Sequence, residues 1–395
     1  MRILLAFDKF KESMTAREAC AAAARAIEES RGGDSVEIEQ APLTDGGEGF
    51  CEILTTLANG KLKEVEVTGP LKAKRRAPFG VTAFGNVPAA AQALLKVSPD
   101  TAQLGIVEMA RASGLERVPP EQRNPWETTS RGTGELIAAA TQAGVDAILL
   151  GIGGSATNDC GLGALEALGL ELQDGEDRPM ACTSPGDWDR MARLGGTLDA
   201  RIPELRIACD VSNPLLGPNG STAIYGPQKG LKPEDYERLE GLMAVQAGRL
   251  CTAFGKDPSL MDLPGAGAAG GIGFGLMAAC GAELVPGFDL VSTWLDLETK
   301  VARAHLILTG EGRFDPSSLQ GKGPGSVIEA ARKAGKPVAV FAGKLEPEAV
   351  AALEGFSAAI SPKAMPLPEA LRRGPELLAA SVAAWRRSDA VPRVR

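Results

Sequence analysis

The 395-residue sequence has the composition of a folded protein with an acidic surface: 44% of its residues are hydrophobic, 23% are charged, and the net charge is −8. This charge has the wrong sign for general binding to nucleic acid or to an anionic membrane. With 1 histidine, His305, a metal site built from several imidazoles of one chain is excluded, while 48 glycines predict close backbone approaches or positive φ angles.

Length and cysteine content bound the organisation of the protein. At about 100 to 200 residues per domain, the length predicts two domains. The 7 cysteines are scattered without a C-x-x-C pair, which is typical of a reducing compartment, and the apolar run at residues 3–7 is too short for a signal peptide. We therefore expect a cytoplasmic monomer or homodimer that acts on small molecules, with no nucleic-acid or membrane partner.

The amino-terminal end follows a β-α-β-loop-α pattern. An apolar strand at residues 2–7 precedes an alanine-rich helix at 13–29, which Ser13 or Thr15 can cap and for which Glu18 completes a capping box with Thr15. A second strand at 36–41 leads into a glycine-rich loop at 42–49 and a helix at 50–57.

The carboxy-terminal end repeats this alternation. Strands are predicted at 305–309, 337–342 and 357–361, separated by helices at 325–334 and 346–353. Strands from the two ends of the chain, five in all, are predicted to form one doubly wound parallel sheet.

The middle of the chain is then an insertion with its own α/β pattern. A hairpin-like region at 63–85, strands at 103–109, 147–150 and 206–210, and a helix at 133–143 are predicted there. The uncharged stretch at 263–282 is interpreted as a buried glycine loop that enters a helix, not as a membrane span. We predict two α/β domains, one from 1–62 with 287–395 and an inserted mixed domain at 63–286, which face each other across a cleft.

Five loops carry acidic, amide or basic residues after a strand or turn, and in four of them glycines alternate with these residues. They lie at residues 8–13, at 44–49, at 151–159, at 209–230 in three short pieces, and at 309–315 with Lys322 a few residues on. Glycine between a strand and a helix exposes backbone N–H groups that suit phosphate. Carboxylates at strand ends suit Mg²⁺ or a hydroxyl proton, and Lys or Arg can neutralise a transferring phosphoryl group. This set of loops indicates a phosphotransferase, with Lys11, Asp45, Asp210, Arg313 and Asp315 as the individual candidates.

Two other functions stay open on these residues. Gly151-x-Gly153-x-x-Ala156 follows a strand and has Glu171 downstream, as in a dinucleotide-binding loop, so an NAD-dependent dehydrogenase is one alternative. A non-catalytic binder of small acids is the other. No P-loop motif occurs, since Gly321-Lys322 is followed by Gly323. His305 is interpreted as a satisfied core or edge residue, and the basic run at 72–76 as a solvated turn between strands.

At these same loops the sequence resembles the bacterial glycerate kinase family (type I, D-glycerate 2-kinase-like). The stretches that carry the resemblance are DKFKESMTA (8–16), TDGGEG (44–49), TTSRGTGELI (128–137), GIGGSATNDCG (151–161), CDVSNPLLGPNG (209–220), GPQKG (226–230), PGAGAAGGIG (264–273) and TGEGRFD (309–315). The resemblance implies a flavodoxin-like domain with an interrupting α/β domain, and ATP-dependent phosphorylation of D-glycerate to 2-phosphoglycerate. Lys9 departs from the family pattern, because Ser is common at its position.

The resulting hypothesis is direct transfer of the ATP γ-phosphoryl group to D-glycerate in the cleft. We expect Asp45 or Asp210 to hold Mg²⁺, since their carboxylates offer hard oxygen ligands. Lys11 and Arg313 would neutralise the phosphoryl group or the substrate carboxylate, and Asp315 would orient or deprotonate the hydroxyl. The nucleotide would be bound by Gly153, Gly154, Ser155, Thr157, Asn158 and Lys322.

Overall fold

The computed structural model describes residues 1–30, 35–319, 323–353 and 355–388. Its strands are β1 Arg2–Phe7, β2 Glu37–Gln40, β3 Lys61–Thr68, β4 Lys74–Ala83, β5 Gln103–Glu108, β6 Ala147–Gly151, β7 Leu170–Asp174, β8 Pro179–Met180, β9 Met191–Gly196, β10 Glu204–Ala208, β11 Glu283–Val285, β12 Leu306–Gly310, β13 Arg313–Phe314, β14 Val338–Ala342, β15 Lys344–Leu345 and β16 Phe356–Ala359. Its helices are α1 Ala16–Glu29, α2 Phe50–Leu57, α3 Ala89–Leu95, α4 Met109–Ser113, α5 Arg131–Gln142, α6 Leu162–Ala167, α7 Ser221–Tyr225, α8 Tyr236–Ala253, α9 Ala268–Cys280, α10 Gly287–Trp294, α11 Leu297–Arg303, α12 Gly323–Lys333, α13 Pro347–Ala351, α14 Leu367–Arg372 and α15 Gly374–Arg386.

The chain divides into two compact units, unit 1 (Met1–Asp45 with Val291–Arg395) and unit 2 (Gly46–Leu290). These limits differ from the sequence-based boundaries at 62/63 and 286/287. The difference arises because α2 packs on the strands of unit 2. The Cys51 thiol donates to the carbonyl of Ile106 on β5 at 3.2 Å, and the glycine at position 80 on β4 leaves the room that the Thr55 side chain occupies.

Unit 1 contains the predicted five-stranded parallel sheet, in the order β16-β14-β12-β1-β2. Strand β1 leads through α1 to β2 on one side, whereas β12 leads through α12 to β14 on the other. The connections therefore change direction between β1 and β12, and the carboxyl ends of such a strand pair are where open α/β sheets bind ligands. The α/β fold class predicted from the sequence is confirmed.

The first helix shows how local sequence fixes an element of unit 1. Thr15 accepts a hydrogen bond from the backbone N–H of Glu18, and the Glu18 carboxylate accepts the backbone N–H of Thr15 at 2.8 Å. This is the predicted capping box, which satisfies two N–H groups that the first turn leaves unpaired. The alanine-rich face of α1 then packs into a core with the apolar side chains of β1 and α15.

Unit 2 contains a six-stranded mixed sheet, in the order β11-β10-β6-β5-β4-β3. Strands β11, β10, β6 and β5 run parallel to one another, whereas β4 is antiparallel to β5 and β3 is antiparallel to β4. The predicted glycine loop that enters a helix is confirmed: Ala269, Gly270 and Gly271 are left-handed, and the helical part of α9 follows them. The small sheet β8-β7-β9 and the helix α8 were not predicted from the sequence.

No helix in the described part of the chain is both long enough and apolar enough to span a membrane.

Candidate functional site

Two acids lie where the sheet of unit 1 changes direction. Asp8 follows β1 directly, and its backbone N–H donates to the carbonyl of Gly310 at 2.9 Å. Glu311 follows β12 directly. Gly310 must be glycine, because its φ is +154° and a Cβ there would stand 1.6 Å from the carbonyl oxygen of Phe341. Parallel strand geometry thus brings the two carboxyl groups to one edge.

Burial changes the acid strength of both groups. It raises the pKa of Asp8 to about 6, against the lowering effect of Lys9, and the charge of Asp45 raises it further. Burial also raises the pKa of Glu311 to about 7, with the charges of Asp8 and Asp315 adding to it and Ser318 opposing it through a hydrogen bond. One carboxyl oxygen of Glu311 is buried without a hydrogen-bond partner among the described residues. Glu311 is therefore poised to exchange a proton near neutral pH.

The predicted residues Lys11 and Asp45 are exposed at this edge. The Lys9 ammonium lies 3.4 Å from an oxygen of Asp45, whose side chain is 45% exposed. Loop 44–49 starts beside β1, because the backbone N–H of Leu43 donates to the carbonyl of Phe7 at 2.8 Å. The backbone of Lys11 passes close to Gly312, where a Cβ would stand 3.0 Å from the Lys11 nitrogen.

Arg313 and Asp315, which were also predicted, lie in the segment that follows β12 in unit 1. The Arg313 guanidinium is 3.0 Å from Glu346 and 3.7 Å from Asp315. A hydrogen bond from Ser317 holds the pKa of Asp315 below its usual range, so this carboxylate is ionised and accepts hydrogen bonds. Arg313 is thus shared between two carboxylates. Lys322, the remaining candidate of this region, lies outside the described residues.

In unit 2 the loop at 151–159 follows β6, as predicted, but its glycines have a packing reason. The N–H of Gly153 donates to the carbonyl of Gly46 at 3.0 Å, and a Cβ on Gly153 would stand 2.7 Å from the backbone of Gly47. Helix α6 begins only at Leu162, and Glu171 lies on β7 of the small antiparallel sheet. The context of a dinucleotide-binding loop, in which the helix starts within the glycine motif, is absent here.

A buried lysine stabilises this loop through hydrogen bonds. Lys229 is 2% exposed, and its ammonium donates to the Ser155 hydroxyl at 3.0 Å and to the Thr157 carbonyl at 2.6 Å. Burial lowers the pKa of Lys229 to about 7, although the charge of Asp159 opposes this. The Ser155 hydroxyl accepts from a cation, so its own proton is free to point toward another acceptor.

The other polar residues of the loop form a buried network. Asn158 hydrogen-bonds to Ser221 and Thr222 at 3.3 Å each. Asp159 accepts the backbone N–H groups of Ser130, Gly161 and Gly163 and thereby holds the starts of α5 and α6. Burial raises the pKa of Asp159, and these hydrogen bonds oppose the effect.

Asp210, the predicted metal ligand of unit 2, follows β10. One of its oxygens accepts the backbone N–H of Phe288 at 3.0 Å. The described residues contain no group of three or more His, Cys, Asp or Glu side chains that could hold a metal ion. One or two carboxylates could still hold Mg²⁺ if phosphate oxygens and water filled its remaining coordination positions, as is common in phosphotransferases.

Asp8, Glu311, Lys229 and Asp159 are functional candidates that reasoning from the sequence did not select, although all four lie in motifs that it singled out. A signal existed for the two acids of unit 1, because each is the first charged residue after an apolar parallel strand. No local pattern marks Lys229 as buried, since its burial depends on the distant loop at 151–159.

The single histidine has no place at either candidate site. His305 lies at the amino-terminal end of β12, where its Nδ1 accepts the backbone N–H of Arg2 at 2.9 Å. This agrees with its interpretation as a satisfied edge residue.

Comparison with known proteins gives a consistent result. A model described as the glycerate kinase family matches residues 3–387. The glycerate kinase of Bacillus subtilis (strain 168) is 39% identical over 388 residues, 96% of this chain and 95% of that protein. The glycerate 2-kinase of Escherichia coli (strain K12) is 40% identical over 348 residues, 87% of this chain and 86% of that protein.

A solved structure is similar as well. The crystal structure described as glycerate kinase 2 from Salmonella typhimurium LT2 matches with a TM-score of 0.71 at 37% identity, over 98% of this chain and 97% of that chain. The chain therefore belongs to the glycerate kinase family, and it is a phosphotransferase with an alcohol group as acceptor, as the sequence predicts.

Proposed function

We propose that this protein transfers the γ-phosphoryl group of ATP to D-glycerate and forms 2-phosphoglycerate, with Mg²⁺ as the accompanying cation. Family membership and the name of the Escherichia coli relative support the acceptor and the 2-position. The observation that carries the proposal is the pair of acids, Asp8 and Glu311, at the edge where the parallel sheet of unit 1 changes direction. A kinase that acts on an alcohol needs a proton acceptor at such a position.

In the proposed reaction a hydroxyl oxygen of glycerate attacks the γ-phosphorus. The new O–P bond forms as the bond to the ADP oxygen breaks, and the hydroxyl proton passes to a carboxylate. Asp315 is the acceptor that the sequence suggests, but its low pKa suits an orienting hydrogen-bond acceptor better than a base. Glu311 suits the base role at neutral pH, because its pKa is raised to about 7.

The charged groups of unit 1 have complementary roles. Lys11 is exposed and would neutralise the developing phosphoryl charge or the substrate carboxylate. Arg313 would do the same once one of its two carboxylate partners is exchanged for substrate. Asp45 would hold Mg²⁺, which supplies charge neutralisation to the phosphates when it is bound.

The loops of unit 2 are assigned to the nucleotide. Ser155 and Thr157 would donate hydrogen bonds to phosphate oxygens, with Lys229 holding the loop from behind. Gly154 would contribute its backbone N–H, and Asn158 would keep the loop in shape through its own buried hydrogen bonds. Gly153 supports the loop by packing, since its N–H already has a partner. Asp210 is the second proposed Mg²⁺ ligand, through the oxygen that faces Gly287.

A cytoplasmic location is part of the proposal. None of the seven cysteines forms a disulfide bond, and four of them are buried within the fold. Seven cysteines without a disulfide bond are typical of a reducing compartment.

The decisive experiment is a ³¹P spectrum of the products from ATP, Mg²⁺ and D-glycerate. We expect ADP and 2-phosphoglycerate in equal amounts, and no ADP without glycerate. Formation of 3-phosphoglycerate would contradict the regiochemistry alone. Saturable NADH binding without ATP binding would contradict the kinase assignment and favour the dehydrogenase, and binding of glycerate without turnover would favour the non-catalytic binder.

The residue roles need a separate test. Asp45→Asn and Asp315→Asn are each expected to lower kcat/KM by about 100-fold, because each removes a charge assigned to the reacting groups. Asp100→Asn, at an exposed position of unit 2, is the matched control and should retain full activity. If both site variants stay within a few-fold of wild type, these roles are wrong.

A further inference from the structure

Three arginines meet at one edge of the sheet of unit 2. Strands β5 and β4 are antiparallel, with Gly80 opposite Ile106. Helix α4 (Met109–Ser113), which follows β5 and carries Arg111, packs against β4, at whose start Arg75 lies. The third, Arg117, ends the short 3-10 turn Leu115–Arg117. This edge holds the carboxyl ends of β5, β6 and β10, where α/β sheets bind ligands.

The charges of this cluster are poorly compensated. Arg111 is paired with Glu108 at 3.4 Å and Glu52 at 3.5 Å. In the described part of the chain, neither Arg75 nor Arg117 forms an ion pair, and the Arg75 Nε is buried without a hydrogen-bond partner. A buried donor that has no protein acceptor takes its hydrogen bond from water or from a bound anion.

The electrostatics of Arg75 agree with this geometry. Burial lowers its pKa, and the neighbouring charges of Arg117 and Arg111 lower it further. A bound anion would relieve both effects at once, because it supplies opposite charge and hydrogen-bond acceptors to the same guanidinium groups.

The cluster is joined to the loop at 151–159. The backbone N–H of Leu115 donates to the carbonyl of Gly154 at 2.7 Å, and that of Ala156 donates to the carbonyl of Ser113 at 2.9 Å. Leu115 and Ala156 also pack in one small apolar cluster. The segment that carries Arg111 and Arg117 is therefore fixed against the turn that carries the Ser155 hydroxyl.

We propose that Arg75, Arg111 and Arg117 form a binding site for an oxyanion group of a substrate, either the nucleotide phosphates or the glycerate carboxylate. Guanidinium groups bind both of these groups through paired, charge-assisted hydrogen bonds. That the anion belongs to a substrate of the kinase reaction rests on the proposed function, whereas the presence of the anion site does not.

The neighbouring residue on the same strand supplies a matched control. Arg76 points to the other face of β4, where it pairs with Glu64 at 3.1 Å and its side chain is 72% exposed. Replacing Arg76 removes the same charge from the same strand without touching the cluster. Arg75→Gln, Arg117→Gln and Arg76→Gln therefore form the test series. Because Arg117 is exposed, its variant should fold even if Arg75→Gln does not.

The experiment is calorimetric titration of the full-length protein with pyrophosphate and, separately, with D-glycerate, followed by KM values for ATP and glycerate. We expect Arg75→Gln and Arg117→Gln to weaken binding of one of the two ligands by about 10- to 100-fold, with the matching KM raised and Arg76→Gln unchanged. Loss of pyrophosphate binding assigns the site to the nucleotide, and loss of glycerate binding assigns it to the carboxylate.

Two outcomes would overturn the proposal: affinities for both ligands within two-fold of wild type in Arg117→Gln and in any folded Arg75→Gln, or an equal loss in Arg76→Gln. Failure of the proposed function looks different. In that case the wild-type protein would bind an anion in an Arg117-dependent way but would form no phosphoglycerate.

Discussion

Replacing Glu311 by Gln is expected to stabilise unit 1 at pH 8 and to reduce turnover. In the unfolded chain this carboxyl ionises near its ordinary pKa of 4.5, but in the folded protein burial raises the value to about 7. Between these two values the folded state binds more protons than the unfolded state, so the contribution of Glu311 to stability falls as pH rises through this window. Above pH 7 the folded protein carries the full cost of a buried carboxylate.

The size of the effect follows from the shift in pKa. The pKa changes by about 2.5, from 4.5 to about 7, and at about 1.4 kcal/mol for each pKa step the upper limit lies between about 3 and 4 kcal/mol. Because Glu311 remains partly exposed, we expect about 2 kcal/mol. Glutamine has the same shape and keeps an oxygen that can accept from Ser318. The gain should therefore be large at pH 8 and small at pH 5, where folded wild-type Glu311 is protonated and the pH is close to the pKa of the unfolded chain.

Hydrogen–deuterium exchange of peptides from β1 and β12 measures the stability of unit 1 alone. It does not require that the two units unfold together. The expected result is clearly slower exchange in Glu311→Gln at pH 8, with rates close to those of the wild type at pH 5. Glu348→Gln is the control, because Glu348 is exposed on α13. Equal or faster exchange at pH 8, or a gain independent of pH, would refute the assignment of a buried, proton-exchanging carboxyl. Activity should fall by about 100-fold or more.

Three further changes probe other parts of the structure. Lys229→Met should leave the free energy of unfolding unchanged or raise it, most clearly below pH 7, where the buried ammonium is charged. The same variant should raise the KM for ATP by about 10-fold. Urea titration at two pH values measures the first effect, and steady-state kinetics measures the second. Asp159→Ala should cost about 3 kcal/mol of stability, because three buried backbone N–H groups lose their acceptor. Thr15→Ala should cost about 1 kcal/mol through loss of the α1 cap and leave kinetics unchanged, so a change in KM there would contradict a purely structural role.

Local patterns were sufficient for most of unit 1. The apolar run of β1, the capping box at Thr15 and the alternation near both chain ends predict the strands and helices, and the requirement for one parallel sheet then fixes their assembly. Unit 2 was harder. In the sheet β8-β7-β9 only β7 alternates, with Leu170 and Leu172 buried and Glu171 exposed, and it does so over three residues, which is too short a run to mark a strand. The position of α2 depends on its packing against β4 and β5, which no local pattern reports.

The candidate sites show the same limit. Charged or polar residues in a strand-to-helix loop marked the segments at 8–13, 151–159 and 309–315, with glycines in the last two, and each segment lies at the carboxyl edge of its sheet. The sequence could not distinguish a glycine that contacts a ligand from one that contacts a neighbouring loop, as Gly153 does. It also could not distinguish Asp315, whose pKa stays below its usual range, from Glu311, whose pKa burial raises, because burial is set by residues that are distant in sequence.

The scarcity of histidine acquires a physical explanation from these buried groups. Proton transfer near pH 7 requires a group that titrates there, and histidine is the side chain that does so without help from its surroundings. His305 lies at the opposite end of β12 from Glu311 and is bonded to the backbone of Arg2. The protein instead contains a glutamate whose pKa burial raises to about 7 and a lysine whose pKa burial lowers to about 7.

The burial of Glu311 and the burial of Lys229 each cost stability. Neither residue is needed to fill a core, since an apolar residue of similar size would fill the same volume without a buried charge. The two groups lie at the carboxyl edges of two different sheets, where ligands bind, and this location is what a requirement for proton transfer and for charge near phosphate predicts.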